Sequence, residues 1–85
     1  MHNFKELKIW QKTVDLAADI YALTSNSPEG EKFNLVSQMR SAAISISSNI
    51  AEGAGRNTNK DFARFLSIAY GSLYELESQL LFQKD

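Results

Sequence analysis

Residues 38–56 read Gln38-Met-Arg-Ser-Ala-Ala-Ile-Ser-Ile-Ser-Ser-Asn-Ile-Ala-Glu-Gly-Ala-Gly-Arg56, and no charge falls between Arg40 and Glu52. A helix on a protein surface carries charge on its outer face. This stretch offers small residues and isoleucines at helical spacing instead, so it is predicted to be a helix with other helices packed around it at close range. Val36, Met39, Ala43, Ile46 and Ile50 fall on one side, widened by Leu35 and Ala42. Ser37, Ser41, Ser45 and Ser48 fall on the other. Serine is a mediocre helix former but lets backbones approach closely. Upstream, Ser27 is suited to the N-cap, Pro28 to the first helical position, and Glu29 and Glu31 to the positive end of the dipole. Gly53 is read as the C′ stop. The predicted helix covers residues 28–52.

Working outward, a first helix is predicted over residues 4–24. On a wheel of about 100° per residue, Leu7, Trp10, Val14, Ala17 and Tyr21 form one stripe, and Ile9, Leu16, Ile20 and Leu23 an adjoining one. The two together are wider than one partner helix would cover. Lys8, Gln11, Lys12, Asp15 and Asp19 make the solvent face, with lysines first and aspartates later, the wrong order for the helix dipole. A third helix is predicted over 59–84, opened by a Thr58/Asp61 capping box. Its stripe is Phe62, Phe65, Leu66, Ala69, Leu73, Leu76 and Leu80, with Tyr70, Tyr74 and Leu81 beside it. The helix reaches Lys84-Asp85 without a C-terminal cap.

Composition bounds the rest. Eighty-five residues make one small domain, residues 1–85. Such a chain buries only about 60% of the surface its unfolded form exposes and gains from a disulfide, a metal or a partner. There is no cysteine, which suits a reducing cytoplasm and removes thiolate chemistry. The lone histidine is His2, at the N-terminus, so no histidine metal site or catalytic dyad is expected. Association with further copies is the remaining support. Net charge is −1, which argues against a generic polyanion binder. The N-terminus lacks the apolar run of a signal peptide, and no uncharged run approaches the roughly 18 residues of a membrane span. The expected setting is cytoplasmic, with no cofactor.

Four blocks carry a resemblance: Phe4-Lys-Glu-Leu-Lys-Ile-Trp-Gln-Lys12, Ser48-Asn-Ile-Ala-Glu-Gly-Ala-Gly-Arg56, Asp61-Phe-Ala-Arg-Phe-Leu66 and Ala69-Tyr-Gly-Ser-Leu-Tyr-Glu-Leu-Glu77. In this order they resemble the bacterial four-helix bundle protein family of the ribosomal RNA intervening-sequence type. The block holding Asn49, Glu52, Gly53 and Arg56 is the most specific. The resemblance implies an all-α, antiparallel up-and-down bundle that assembles into a ring, commonly a pentamer, with no established enzymatic activity. Related accessory proteins of diversity-generating retroelements form similar rings that bind nucleic acid and a reverse transcriptase. Three helices are visible in this chain and the fourth of the family is not, so either the chain is truncated or the fourth position is filled by another molecule. Ser41 stands where a second basic residue often occurs and Ser47 where proline is common, and the acidic balance departs from the basic nucleic-acid-binding relatives.

The polar residues divide into two candidate sets. Arg40, Asn49, Glu52, Arg56 and Glu75, with Glu77 nearby, are read as a structural network at bundle faces, since buried charges need partners whatever the function. Bundle di-metal sites use Glu-x-x-His pairs, which are missing. Lys5, Lys8, Lys12, Arg56 and Lys60 are the candidate nucleic-acid contacts, opposed by Asp15 and Asp19 on the face of the lysines. Gly53-Ala-Gly55-Arg-Asn-Thr58 lacks the third glycine and the preceding strand of a dinucleotide fingerprint. The reading is a non-enzymatic homo-oligomeric scaffold or interaction protein. The alternative is an accessory protein binding RNA or DNA through a basic ring surface.

Overall fold

The computed structural model describes residues 1–25 and 31–83. Within them a 3-10 turn, Phe4–Glu6, precedes helices α1 (Lys8–Thr24), α2 (Glu31–Ala54) and α3 (Asn59–Gln83). The expected cap at Ser27 and Pro28, and the expected last helical position at Lys84, lie outside the described residues. No strand occurs among the described residues.

The first helix starts later than its pattern suggests. Leu7 is extended, with φ −74° and ψ 122°, and separates the turn from α1. The reason lies in what precedes it. Asn3 Oδ1 accepts from the Lys5 amide at 3.2 Å, the His2 amide donates to the Ala54 carbonyl at 2.7 Å, and the Phe4 ring meets Trp10 edge-on at 5.0 Å. A continuous helix from Phe4 would carry these groups away from the end of α2.

Arg40 reaches the end of α1 while His2 reaches the end of α2, so α1 and α2 run antiparallel. Ser45 pairs with Ser72, and Gly53 lies against Phe65, so α2 and α3 are antiparallel as well. The all-α up-and-down arrangement expected from the sequence is therefore present. The predicted α2 stripe is the core: Met39, Ala43, Ile46 and Ile50 are buried, with Ala42 beside them. Ile20 of α1 and Ala69 and Leu76 of α3 complete the cluster.

The serine side of α2 is not enclosed as the charge-free stretch led us to expect. Ser37, Ser41 and Ser48 are exposed, and Ile44 is 44% exposed. Among the described residues only α1 and α3 flank α2. Among the described residues no Cα of α1 comes within 8 Å of one in α3. The predicted stripes of α1 and α3 are consequently only partly covered, and Val14, Tyr21 and Leu73, assigned to packed stripes, are about two-fifths exposed. The molecule is a slab of 44 × 20 × 15 Å with a radius of gyration of 14.0 Å. A compact domain of this length would have about 12 Å.

Gly53 does not stop α2. The helix continues to Ala54, and neither Gly53 nor Gly55 takes a positive φ. What requires glycine at residue 53 is proximity, because a Cβ there would lie 2.7 Å from Phe65 Cβ and 3.0 Å from Phe62 Cδ1. The Thr58 cap holds, with its Oγ1 accepting from the Asp61 amide at 3.1 Å.

Ala43 is fully buried in the middle of α2. Ala43→Leu is expected to lower stability by about 2 kcal/mol through overpacking. Lys12→Leu, at an exposed position, should change it by roughly 0.5 kcal/mol or less. Denaturant melts of dilute protein read both values, and equal stability of the two variants would show the α1 and α2 faces to be misphased.

Candidate functional site

Among the described residues α1 and α3 flank α2 with no Cα of one within 8 Å of the other, and they leave a groove with α2 as its floor. At one end Ile9 and Thr13 face Leu66, Tyr70 and Leu73 across Ile46 and Ile50, enclosing about 240 Å³. At the other, Leu16 faces Leu73, Tyr74, Leu80 and Leu81 around a hollow of about 450 Å³, with Glu77 at its edge. Tyr70, Tyr74 and Leu81 are between 57% and 66% exposed. The sequence separates these residues from the main α3 stripe; that α1 leaves them uncovered is visible only in three dimensions. Exposed apolar surface of this kind makes the groove a candidate contact site.

The candidate polar network does not converge. Arg40 sits against the end of α1. Its Nε donates to Thr24 Oγ1 at 2.9 Å, its Nη2 donates to the Tyr21 carbonyl at 3.3 Å, and its guanidinium lies 4.5 Å from the centre of the Tyr21 ring. A cation placed on the last carbonyls of α1 also complements the helix dipole. Thr24 is buried and donates in turn to the Ile20 carbonyl at 2.7 Å. Sequence reasoning missed Thr24 as a partner, since threonine at a helix end carries no mark of burial. Arg40→Ala is expected to cost about 1.5 kcal/mol by removing these contacts. Arg40→Lys should recover only part, because an ammonium lacks the planar fork. Thermal melts of the two variants test this, and an unchanged Arg40→Ala would overturn the role.

Asn49 belongs to a second place, the α2–α3 contact. Its Nδ2 donates to the Ser45 carbonyl at 2.8 Å and to Ser45 Oγ at 3.0 Å, and the Ser45 hydroxyl pairs with that of Ser72 at 2.9 Å. Glu52 and Arg56 form a third, an ion pair of 2.9 Å one helical turn apart with both side chains about half exposed. Glu75 is exposed and has no ion pair among the described residues. Buried Gln79, also unforeseen, has no hydrogen-bond partner for Oε1 among the described residues.

The candidate nucleic-acid contacts are brought closer together than the polar set. The start of α1, the end of α2 and the start of α3 share one end of the slab, which carries Lys5, Lys8, Arg56 and Lys60, with Lys12 a turn further along. Arg64 joins them. Its guanidinium and that of Arg56 lie 4.6 and 4.8 Å from the Phe65 ring centre. Glu52 and Asp61 partly neutralise these arginines. Asp19, Glu75 and Glu77 lie toward the opposite end, which also carries Arg40.

Among the described residues no group of three or more His, Cys, Asp or Glu is placed to hold a metal ion. His2 lies beside Phe62, with ring centroids 5.3 Å apart and planes tilted by 44°. No described helix is long and apolar enough to cross a membrane. No curated protein matches the chain. The four blocks that carry the sequence resemblance lie in the first turn and α1, at the end of α2 and along α3. The family described as 23S rRNA-intervening sequence protein matches residues 5–85, and the chain belongs to it.

Proposed function

We propose that this chain is a small, non-enzymatic, homo-oligomeric scaffold acting in the cytoplasm. The observation that carries the proposal is the open groove, together with the surface that goes with it. The chain exposes 5939 Å². A compact monomer of its mass would expose about 5,050 Å². The absence of cysteine and the placement of the lone histidine at the N-terminus support a binding role over catalysis.

Sedimentation equilibrium at micromolar concentration is expected to give a mass that is a multiple of the chain. Five copies correspond to the ring that the family resemblance implies. A folded monomer at 100 μM would overturn the proposal.

A second reading, an accessory protein for RNA or DNA, is favoured by one observation: Lys5, Lys8, Arg56, Lys60 and Arg64 share one end of the slab. Assembly would multiply that patch. The overall charge of −1 opposes it, and we expect no tight, sequence-independent binding in fluorescence anisotropy with labelled RNA and DNA. Sub-micromolar affinity that falls steeply with salt and is lost in Arg56→Ala or Lys8→Ala would promote this reading over the scaffold.

A further inference from the structure

We propose that the outer face of α2 is covered by the outer face of α3 from a second copy of this chain, packed antiparallel, with Ile44 seated over Gly71 of that copy. The inference rests on the homo-oligomeric reading and assigns a contact to faces turned away from the groove. On α2, Ser37, Ser41, Ile44 and Ser48 follow one another at intervals of four, three and four residues, and all are exposed. On α3, Arg64, Ile68, Gly71, Glu75, Ser78 and Phe82 keep the same alternation, and all are exposed. That spacing holds one face of a helix toward one partner helix. Ile44, Ile68 and Phe82 are 44%, 43% and 73% exposed, so neither face has its partner within the chain. Two different faces meet, so the contact is heterologous and passes from copy to copy, as a ring requires.

Gly71 supplies the first reason. It lies in the interior of α3, where glycine is less favourable than alanine. Unlike Gly53 it has no neighbour that requires it, because a Cβ built there meets nothing within 4 Å. A helix approaching from another molecule accounts for the missing side chain, and Ile44, the one large side chain between Ser41 and Ser48 on its face, is the matching projection. Charge supplies the second reason, and it selects the occupant and its direction. α2 has no charge between Arg40 and Glu52, and α3 has none between Arg64 and Glu75. In each the arginine comes first, with the glutamate twelve residues later in α2 and eleven in α3. Laid antiparallel, the two stretches match in length. Arg64 of the second copy comes level with Glu52, and Glu75 of the second copy with Arg40. Gly71 of the second copy then falls level with Ile44, although the charges alone set this register. Parallel packing would oppose arginine to arginine and glutamate to glutamate. Among the described residues Glu75 has no ion pair, Arg40 has no carboxylate partner, and Arg64 has only a long one, 4.0 Å to Asp61. Within one chain α2 and α3 already pack antiparallel in nearly this register, with Ser45 against Ser72, so the contact extends the same layer.

Two experiments on the full chain test the contact. Gly71→Leu places a side chain where the chain itself leaves room. The variant should keep the helical circular dichroism of the parent, while overpacking at the contact should weaken association by roughly tenfold in sedimentation equilibrium. In the second experiment, because the protein has no cysteine, Ser37→Cys and Ser78→Cys each introduce a single, exposed thiol. In the proposed register Ser37 lies opposite Ser78 of the second copy. Refolded together, the two variants should be joined by a short bismaleimide, and neither should be joined to itself. Association of Gly71→Leu as tight as that of the parent, crosslinks between like positions, or an assembled mixture without the crosslink between residues 37 and 78 would overturn the contact. Loss of the helical signal in Gly71→Leu would show residue 71 to be packed within its own chain and would overturn it as well. An oligomer that persists through any of these results leaves the scaffold standing, whereas a monomeric parent would remove both.

Discussion

Gly53→Val is expected to destabilise the fold by about 3 kcal/mol, the upper part of the overpacking range. Its Cβ would stand 2.7 Å from the Phe65 Cβ, an atom fixed to the α3 backbone, so rotation of a flexible side chain cannot relieve the clash. α3 must then move away from the end of α2, loosening Phe62, Phe65 and the guanidinium of Arg56 above that ring. Gly53→Ala should cost less, because alanine recovers about 1 kcal/mol of helix propensity relative to glycine. If Gly53 were only a turn residue past the end of α2, neither variant would meet this barrier. Urea melts with far-UV circular dichroism distinguish the two. Gly53→Val within roughly 0.5 kcal/mol of the parent would refute the close approach.

Leu76→Ala should cost about 3 kcal/mol, whereas Leu81→Ala should cost roughly 0.5 kcal/mol or less in dilute protein. Leu76 is 1% exposed and belongs to the core cluster that includes Met39 and Ala42, while Leu81 is 66% exposed at the edge of the groove. The same change of side chain thus separates a core position from a surface one on a single helix. The Leu81→Ala deficit should grow as protein concentration rises, because loss of a partner contact lowers the stability that association adds. Melts at 1 and 100 μM read this, and a Leu81→Ala deficit independent of concentration would place Leu81 outside any self-contact.

Helical periodicity made much of the fold legible. The spacing of Met39, Ala43, Ile46 and Ile50 identifies the buried side of α2, and the lysines and aspartates of α1 mark its wet side. Thr58 opens α3 as its cap spacing predicts. The family, too, was readable from blocks such as Ser48–Arg56, since a match over residues 5–85 rests on residue identity along the chain. These are local properties, set by which side chains share a face of one helix.

Tertiary structure decided the rest, because a stripe has no record of which helix arrives to cover it. Leu73 and Leu76 belong to one apolar stripe by spacing, yet one is at an open groove and the other in the core, since among the described residues no Cα of α1 comes within 8 Å of α3. Gly53 looks like a helix stop in one dimension and proves to be a contact in three, because only the position of Phe65 distinguishes the two. Arg40, Asn49, Glu52, Arg56 and Glu75 share a polar character that suggests one network, but they lie on different helix faces and serve different ends of the slab. Burial depends on neighbours distant in sequence, and here α2 supplies those neighbours to α1 and to α3 separately.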